Sequence, residues 1–287
     1  MRPTTKLLGL LALALALVLV PGARDARANV FVADRRVQRA ADRLPYRAVG
    51  VLHHARLGTG GTAFLVSSCH VATAYHVAFP RLDDAAAGGR AERGAPELGA
   101  PAVFLAGPDA NVPGRFAART PARVVAFGHF APSTFAGQAG DWAILRLDDC
   151  LGERFGYLRA TRDARGPMPD GPLMTLGFPA SRANQPGITI ETGCRARDHG
   201  PVPGLVGVDC AFEKGMSGGP VLQLQADRTW RVVGIVQQST RTVPHVLPEY
   251  TMEHRNQMID VSVFRKAIDD ALRADARRLL ARPPRPR

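Results

Sequence analysis

The stretch EKGMSGGPVL, Glu213 to Leu222, crowds three glycines and a proline around one serine, Ser217, just ahead of an apolar run. A serine hydroxyl is a poor nucleophile until a neutral imidazole takes its proton, and the imidazole works best when a carboxylate fixes its tautomer. Both partners have candidates upstream. SSCHVATAYHVAF places His76 at the end of an apolar run where a turn should begin, and GDWAILRLDD places Asp141 at the start of another. His76, Asp141 and Ser217 follow one another at separations of 65 and 76 residues. Such a set could attack a carbonyl through Ser217, with His76 as base and Asp141 as its orienter. Each residue also has a plainer role available: a turn serine, a core histidine, a cap at a strand start.

Elements must hold these three side chains together. From Tyr46 onward the chain is a series of apolar runs of four to nine residues, rich in Val, Ile, Leu and Phe and broken by Gly and Pro. YRAVGVLHH, GTAFLVSS, HVATAYHV, PAVFLAG, ARVVAFG and DWAILRLD fill the first half, and PLMTLGF, GITIETGCRA, GLVGVDCAF, GPVLQLQ and WRVVGIVQQ the second. This pattern reads as about a dozen short strands. Helical spacing appears only near the end, where Ser262 could cap a helix from Val263 to about Leu280 with Phe264, Ile268 and Leu272 on one side. Many strands and one terminal helix predict an all-β architecture, a sandwich or paired barrels. The breaker-rich segment Ala160 to Pro172 is the expected seam between halves, and Arg81 to Pro101 reads as a long exposed loop. His76 and Asp141 then fall in the first half and Ser217 in the second, which puts a cleft between them.

Composition narrows the function. The chain of 287 residues opens with a short basic start, an apolar run from Leu7 to Val20 and small residues around Ala28. This reads as a cleavable export leader spanning residues 1–28, too short for the roughly 20 residues of a membrane span. No stable membrane insertion is expected after its removal, and the product should be secreted or periplasmic. The four cysteines, Cys69, Cys150, Cys194 and Cys210, all follow the leader, and an even count in an exported protein favours two disulfides. None has the close spacing of a zinc or redox site, so neither metal nor cofactor is expected. The formal charge of +12 is concentrated at the ends, and 34 of the 37 basic residues are arginine. With few aromatics, none interleaved with the basic residues, the composition argues against a nucleic-acid groove. His70, six residues before His76, is expected to be structural.

The blocks GTGGTAFLVSSCHVATAYH, GDWAILRL and GMSGGPV, in that order, resemble the three signature blocks of the trypsin-like (chymotrypsin-fold) serine proteases, most closely compact bacterial secreted members. The similarity runs from Tyr46 to about Leu272. It implies two six-stranded antiparallel β-barrels followed by a C-terminal α-helix, acting on a polypeptide substrate. On the matching positions, Ser217 would attack, His76 would serve as base and then acid, Asp141 would hold the imidazole, and the backbone N–H groups of Gly215 and Ser217 would form the oxyanion hole. The implied organisation is a leader at 1–28, an N-terminal arm or pro-segment at 29–45, a first barrel at 46–159, a linker at 160–172, a second barrel at 173–262, and a helix with a basic tail at 263–287. The same fold would bring Cys69 to Cys150 and Cys194 to Cys210.

Some positions depart from the animal enzymes. Met216 stands where they carry the acidic residue that pairs with a newly cut N-terminus, so activation by that ion pair is not expected. Tyr75 replaces a small residue before the histidine. Ala211 occupies the position of the cation-binding aspartate of trypsins, and with Phe212, Val236, Gln237 and Gln238 it suggests a neutral pocket for a small or apolar side chain. A reading from another class is a chymotrypsin-fold homologue that no longer cleaves and acts as a binding or regulatory module.

Overall fold

A computed structural model describes residues 28–80, 102–161, 171–200, 202–239 and 246–280. The leader up to residue 27, the 81–101 segment, most of the expected seam (162–170) and the tail beyond 280 lie outside the described residues.

The first half of the chain forms a closed barrel of six strands. They are β3 (Val49–His54), β4 (Thr59–Leu65), β5 (His70–Thr73), β6 (Ala102–Pro108), β7 (Phe116–Phe127) and β8 (Ala143–Leu147). They close in the order β3-β4-β5-β8-β7-β6, every neighbouring pair antiparallel. Sequence pattern follows position. Long β7 alternates along most of its length, whereas short β8, AILRL, is almost wholly buried and reads as a continuous apolar run. Leu52, Leu65, Val71, Phe104, Leu145 and Leu147 have essentially no exposed surface and fill the barrel.

The second half forms a second large sheet, of eight strands where the resemblance implied six. Its strands are β9 (Leu173–Gly177), β10 (Ile188–Cys194), β11 (Ala196–Asp198), β12 (Leu205–Val208), β14 (Pro220–Leu224), β15 (Trp230–Ser239) and β16 (Asn256–Asp260). They form an eight-stranded sheet in the order β11-β12-β16-β15-β14-β9-β10-β2, whose last strand, β2 (Val37–Arg39), comes from the N-terminal arm. At the junction of the expected leader and the arm, β1 (Ala28–Asn29) pairs with β13 (Phe212–Glu213) just before Ser217. The sheet gains a strand because the arm runs along β10, Arg39 opposite Ile188 and Val37 opposite Ile190. Leu173, Val206, Val208, Phe212, Met216, Val221, Val233, Val236 and Met258 form its apolar interior.

Cys69 is bonded to Cys150 and Cys194 to Cys210, the two pairs implied by the resemblance. Three short helices, α1 (Tyr75–Ala78), α2 (Phe135–Gln138) and α3 (Gly152–Phe155), sit in the connections, and α4 (Arg265–Leu280) closes the described chain. The last helix starts later than the sequence suggested. Asp260 accepts from the Ser262 N–H and caps a 3₁₀ turn at Val261–Val263, so Ser262 is not the cap of α4. Phe264 and Ile268 are buried, but Leu272 is 40% exposed.

Candidate active site

His76 leaves β5 on the single turn of α1. Ala74 is extended, and its carbonyl accepts from Ala78 N–H at 3.1 Å, so the chain coils immediately after the strand. Asp141 arrives from the neighbouring strand, two residues before β8, whose Ala143 lies opposite Thr73. This register brings the fully buried Asp141 against His76 at two points. Its Oδ1 accepts the His76 backbone N–H at 3.0 Å, and its Oδ2 lies 2.8 Å from His76 Nδ1. A carboxylate can only accept, so Nδ1 carries the proton and Nε2 is left basic. Tyr75, the departure beside His76, packs in an aromatic group with Phe79, Phe127 and Phe130. Phe130 also lies 6.2 Å from the His76 ring.

Ser217 lies in the turn joining β13 to β14, and the glycines there have separate reasons. Gly215 (φ +96°) and Gly218 (φ +83°) occupy backbone conformations that L side chains rarely adopt. A Cβ on Gly218 would also sit 2.1 Å from Thr73 Oγ1 and 2.2 Å from the Thr62 carbonyl. The peptides of the turn are locked. The Lys214 carbonyl accepts from Ala180 N–H at 2.8 Å, and the Met216 carbonyl accepts from Gly219 N–H at 2.9 Å. In a trans peptide the N–H points away from the carbonyl, so the N–H groups of Gly215 and Ser217 face the opposite way. Among the described residues neither donates to a protein acceptor.

The three sequence candidates are not equally close. His76, Gly215 and Ser217 line one cavity of about 220 Å³, with Thr59, Gly60, Val77, Pro80 and Lys214, and Asp141 stands behind His76. The Ser217 hydroxyl donates to the Gln237 carbonyl at 3.1 Å. Of the pocket candidates, Ala211, Phe212, Val236 and Gln237 are buried and none lines this cavity. Gln238 pairs through its backbone with Gln257. Behind Ala211, its N–H donates at 2.6 Å to buried Glu191, and burial pushes the Glu191 carboxyl above the usual range against that hydrogen bond and Arg35. His70 is buried away from the cavity, with Nδ1 2.9 Å from Ser67 Oγ.

Sequence reasoning missed Thr62, Glu213 and the 178–182 turn. Thr62 hydroxyl donates to the Gly215 carbonyl at 2.7 Å and accepts from Phe178 N–H at 3.2 Å, and its backbone N–H donates to the Ser217 carbonyl at 3.0 Å. A signal existed in the paired glycines Gly60 and Gly61. A Cβ on Gly61 would lie 2.7 Å from Val77 and 3.0 Å from the Ser217 carbonyl.

A basic imidazole tied to a buried carboxylate, beside a serine on a turn whose Gly215 and Ser217 N–H groups are turned from their bonded carbonyls, can carry nucleophilic acyl transfer. Such a site between a β-barrel and a second large sheet defines a chymotrypsin-fold serine hydrolase. The family model for the trypsin-like peptidase domain matches residues 61–235, and the chain belongs to that family of serine endopeptidases. Among solved structures, a Glu endopeptidase in complex with MPD superposes with a TM-score of 0.57 at 16% identity, over 84% of this chain and 98% of that one. No curated protein matches by sequence.

Proposed function

We propose that the chain is an exported endopeptidase that cleaves polypeptides through an acyl-enzyme on Ser217, with His76 as general base and acid and Asp141 as its orienter. The observation that carries this reading is the two-point contact of Asp141 with His76 beside the cavity that Ser217 shares. For attack, the Ser217 hydroxyl turns from the Gln237 carbonyl toward Nε2, a rotation between staggered positions. His76 takes its proton, the N–H groups of Gly215 and Ser217 receive the developing oxyanion, and the protonated imidazole then serves the leaving amine. Each such donor contributes about 3 kcal/mol to the transition state.

The edge of β15 suits an extended substrate. Pairing with β14 stops at Pro220 opposite Ile235, while pairing with β16 continues to Ser239 opposite Asn256, so residues 238–239 offer backbone groups beside Ser217. Ala211, Phe212 and Val236 carry no charge, which favours a small or apolar side chain before the cut. Two disulfides suit an oxidising compartment and so support export. The proposed organisation keeps the leader at 1–28, the arm at 29–45, the first barrel at 46–159, the second large sheet at 173–262, the linker between them and the terminal helix from 263.

Labelling with a fluorophosphonate probe tests the triad. Wild type should react, and Ser217→Ala and His76→Ala should not. A folded, oxidised wild type that stays unlabelled would overturn the reading in favour of a binding module.

A further inference from the structure

The N-terminal arm reaches the serine turn through a buried ion pair. Arg36 Nη1 lies 2.6 Å from Glu213 Oε2, the two side chains being 5% and 1% exposed. Asp34 holds the same guanidinium from its other edge, Nε to Oδ1 and Nη2 to Oδ2, each at 2.9 Å. Burial works against the Asp34 charge, but the hydrogen bonds and charge of Arg36, together with Arg182, outweigh it and hold its pKa at about 2. The Glu213 carboxylate is fully engaged. Oε1 accepts the Ser181 backbone N–H and Oε2 the Ser181 hydroxyl, both at 2.6 Å.

Ser181 adjoins Ala180, whose N–H fixes the Lys214 carbonyl. Glu213 and Lys214 are therefore stapled side by side onto one turn. That second staple turns the Gly215 N–H away from Ala180, on a residue that lines the cavity. Asn29, the first residue of the arm, adds to the same attachment opposite Phe212.

Resting on the proposed nucleophile, we infer that Glu213 is a positioning residue for the oxyanion donor Gly215, and that Arg36 of the N-terminal arm supplies the counter-charge that keeps it in place. The oxyanion hole of this chain is set by docking its own arm. Met216, which cannot form the ion pair used by the animal enzymes, is instead packed in the apolar interior, and the arm does the corresponding work one turn away. A buried carboxylate without its partner is costly, so it takes up a proton or turns toward water. Turning toward water releases Ser181, and protonation takes away one of the two acceptor oxygens that Ser181 uses; both loosen the Lys214–Gly215 peptide.

The test compares wild type with Arg36→Met, Arg36→Lys, Glu213→Gln and the Met/Gln double variant, at a temperature well below each Tm. Arg36→Met should lower kcat for a peptide substrate, and the labelling rate, on the order of tenfold to a hundredfold, with KM nearly unchanged. Arg36→Lys should recover part of the loss. Because the double variant removes the uncompensated charge, it should resemble Glu213→Gln rather than combine the two losses. Glu213→Gln keeps the side-chain shape and an acceptor for Ser181, so it provides a folded comparison if Arg36→Met is unstable. A reactive wild type whose folded Arg36 variants keep full kcat, or whose losses simply multiply, would overturn the inference alone. A wild type that never labels would overturn the proposed function as well.

Discussion

Thr62 does no chemistry, yet it makes four hydrogen bonds, two of them tying the first barrel to the serine turn. Its hydroxyl serves Gly215 and Phe178, its N–H serves Ser217, and its carbonyl accepts from Thr73 Oγ1 at 2.7 Å. Replacing it by valine keeps the volume and removes the hydroxyl, leaving a buried carbonyl and N–H without that partner. Thr62→Val should cost about 1–3 kcal/mol in urea unfolding and slow fluorophosphonate labelling. Unchanged stability with unchanged labelling would show that the hydroxyl is dispensable. His76, Asp141 and Ser217, the proposed triad, could be singled out because that chemistry requires particular types, framed by glycines and strand ends. Thr62 was not, because its partners are backbone groups 116 and 153 residues away, and any strand threonine looks the same. Glu213 was hidden for a similar reason, its counter-ion being 177 residues upstream.

The strands were legible as elements because each apolar run is short and bounded by turn formers; the start of α4 was not, because a 3₁₀ turn capped by Asp260 comes first. That helix docks on the first barrel through Asp275, which receives Arg146 Nε of β8 at 2.9 Å and lies 3.7 Å from His70 Nε2 of β5. Burial pushes the His70 imidazole below its ordinary range; Asp275 opposes this, and Arg146 and Arg278 add to it. A folded-state pKa below the unfolded one contributes stability that is complete above about pH 6.5 and lost as the pH falls through the folded value. Stability should therefore decline on acidification below that point, by at most about 1.4 kcal/mol per pH unit for this one proton. Buried His54, also shifted down mainly by burial, adds a second contribution of the same sign. Tm measured against pH should fall less steeply for His70→Gln than for wild type. Identical profiles would remove His70 from the account.

Across the whole molecule, the closed first barrel and the division of the site between two halves could be read from the order of the strand-like runs. The open eight-stranded sheet could not. Its eighth strand lies in NVFVADRRVQRAADRLP, a polar, Arg-rich stretch in which VQR gives little sign of a strand until β10 is placed beside it. The attachment of this arm governs the order of assembly. Asn29 is held by Asn256, 227 residues away, and by β13, whereas every pairing of the first barrel lies between residues 49 and 147. Loop-closure entropy makes contacts of long sequence separation form late. Pulsed hydrogen exchange during refolding should protect β3 to β8 before β1 and β2, and simultaneous protection would contradict this order. A nascent chain thus carries its beginning unplaced until nearly its last strand has arrived. With the arm setting the oxyanion hole as proposed, hydrolytic competence would come last in the life of that chain, after the polypeptide most exposed to it, its own unfolded remainder, has been folded away.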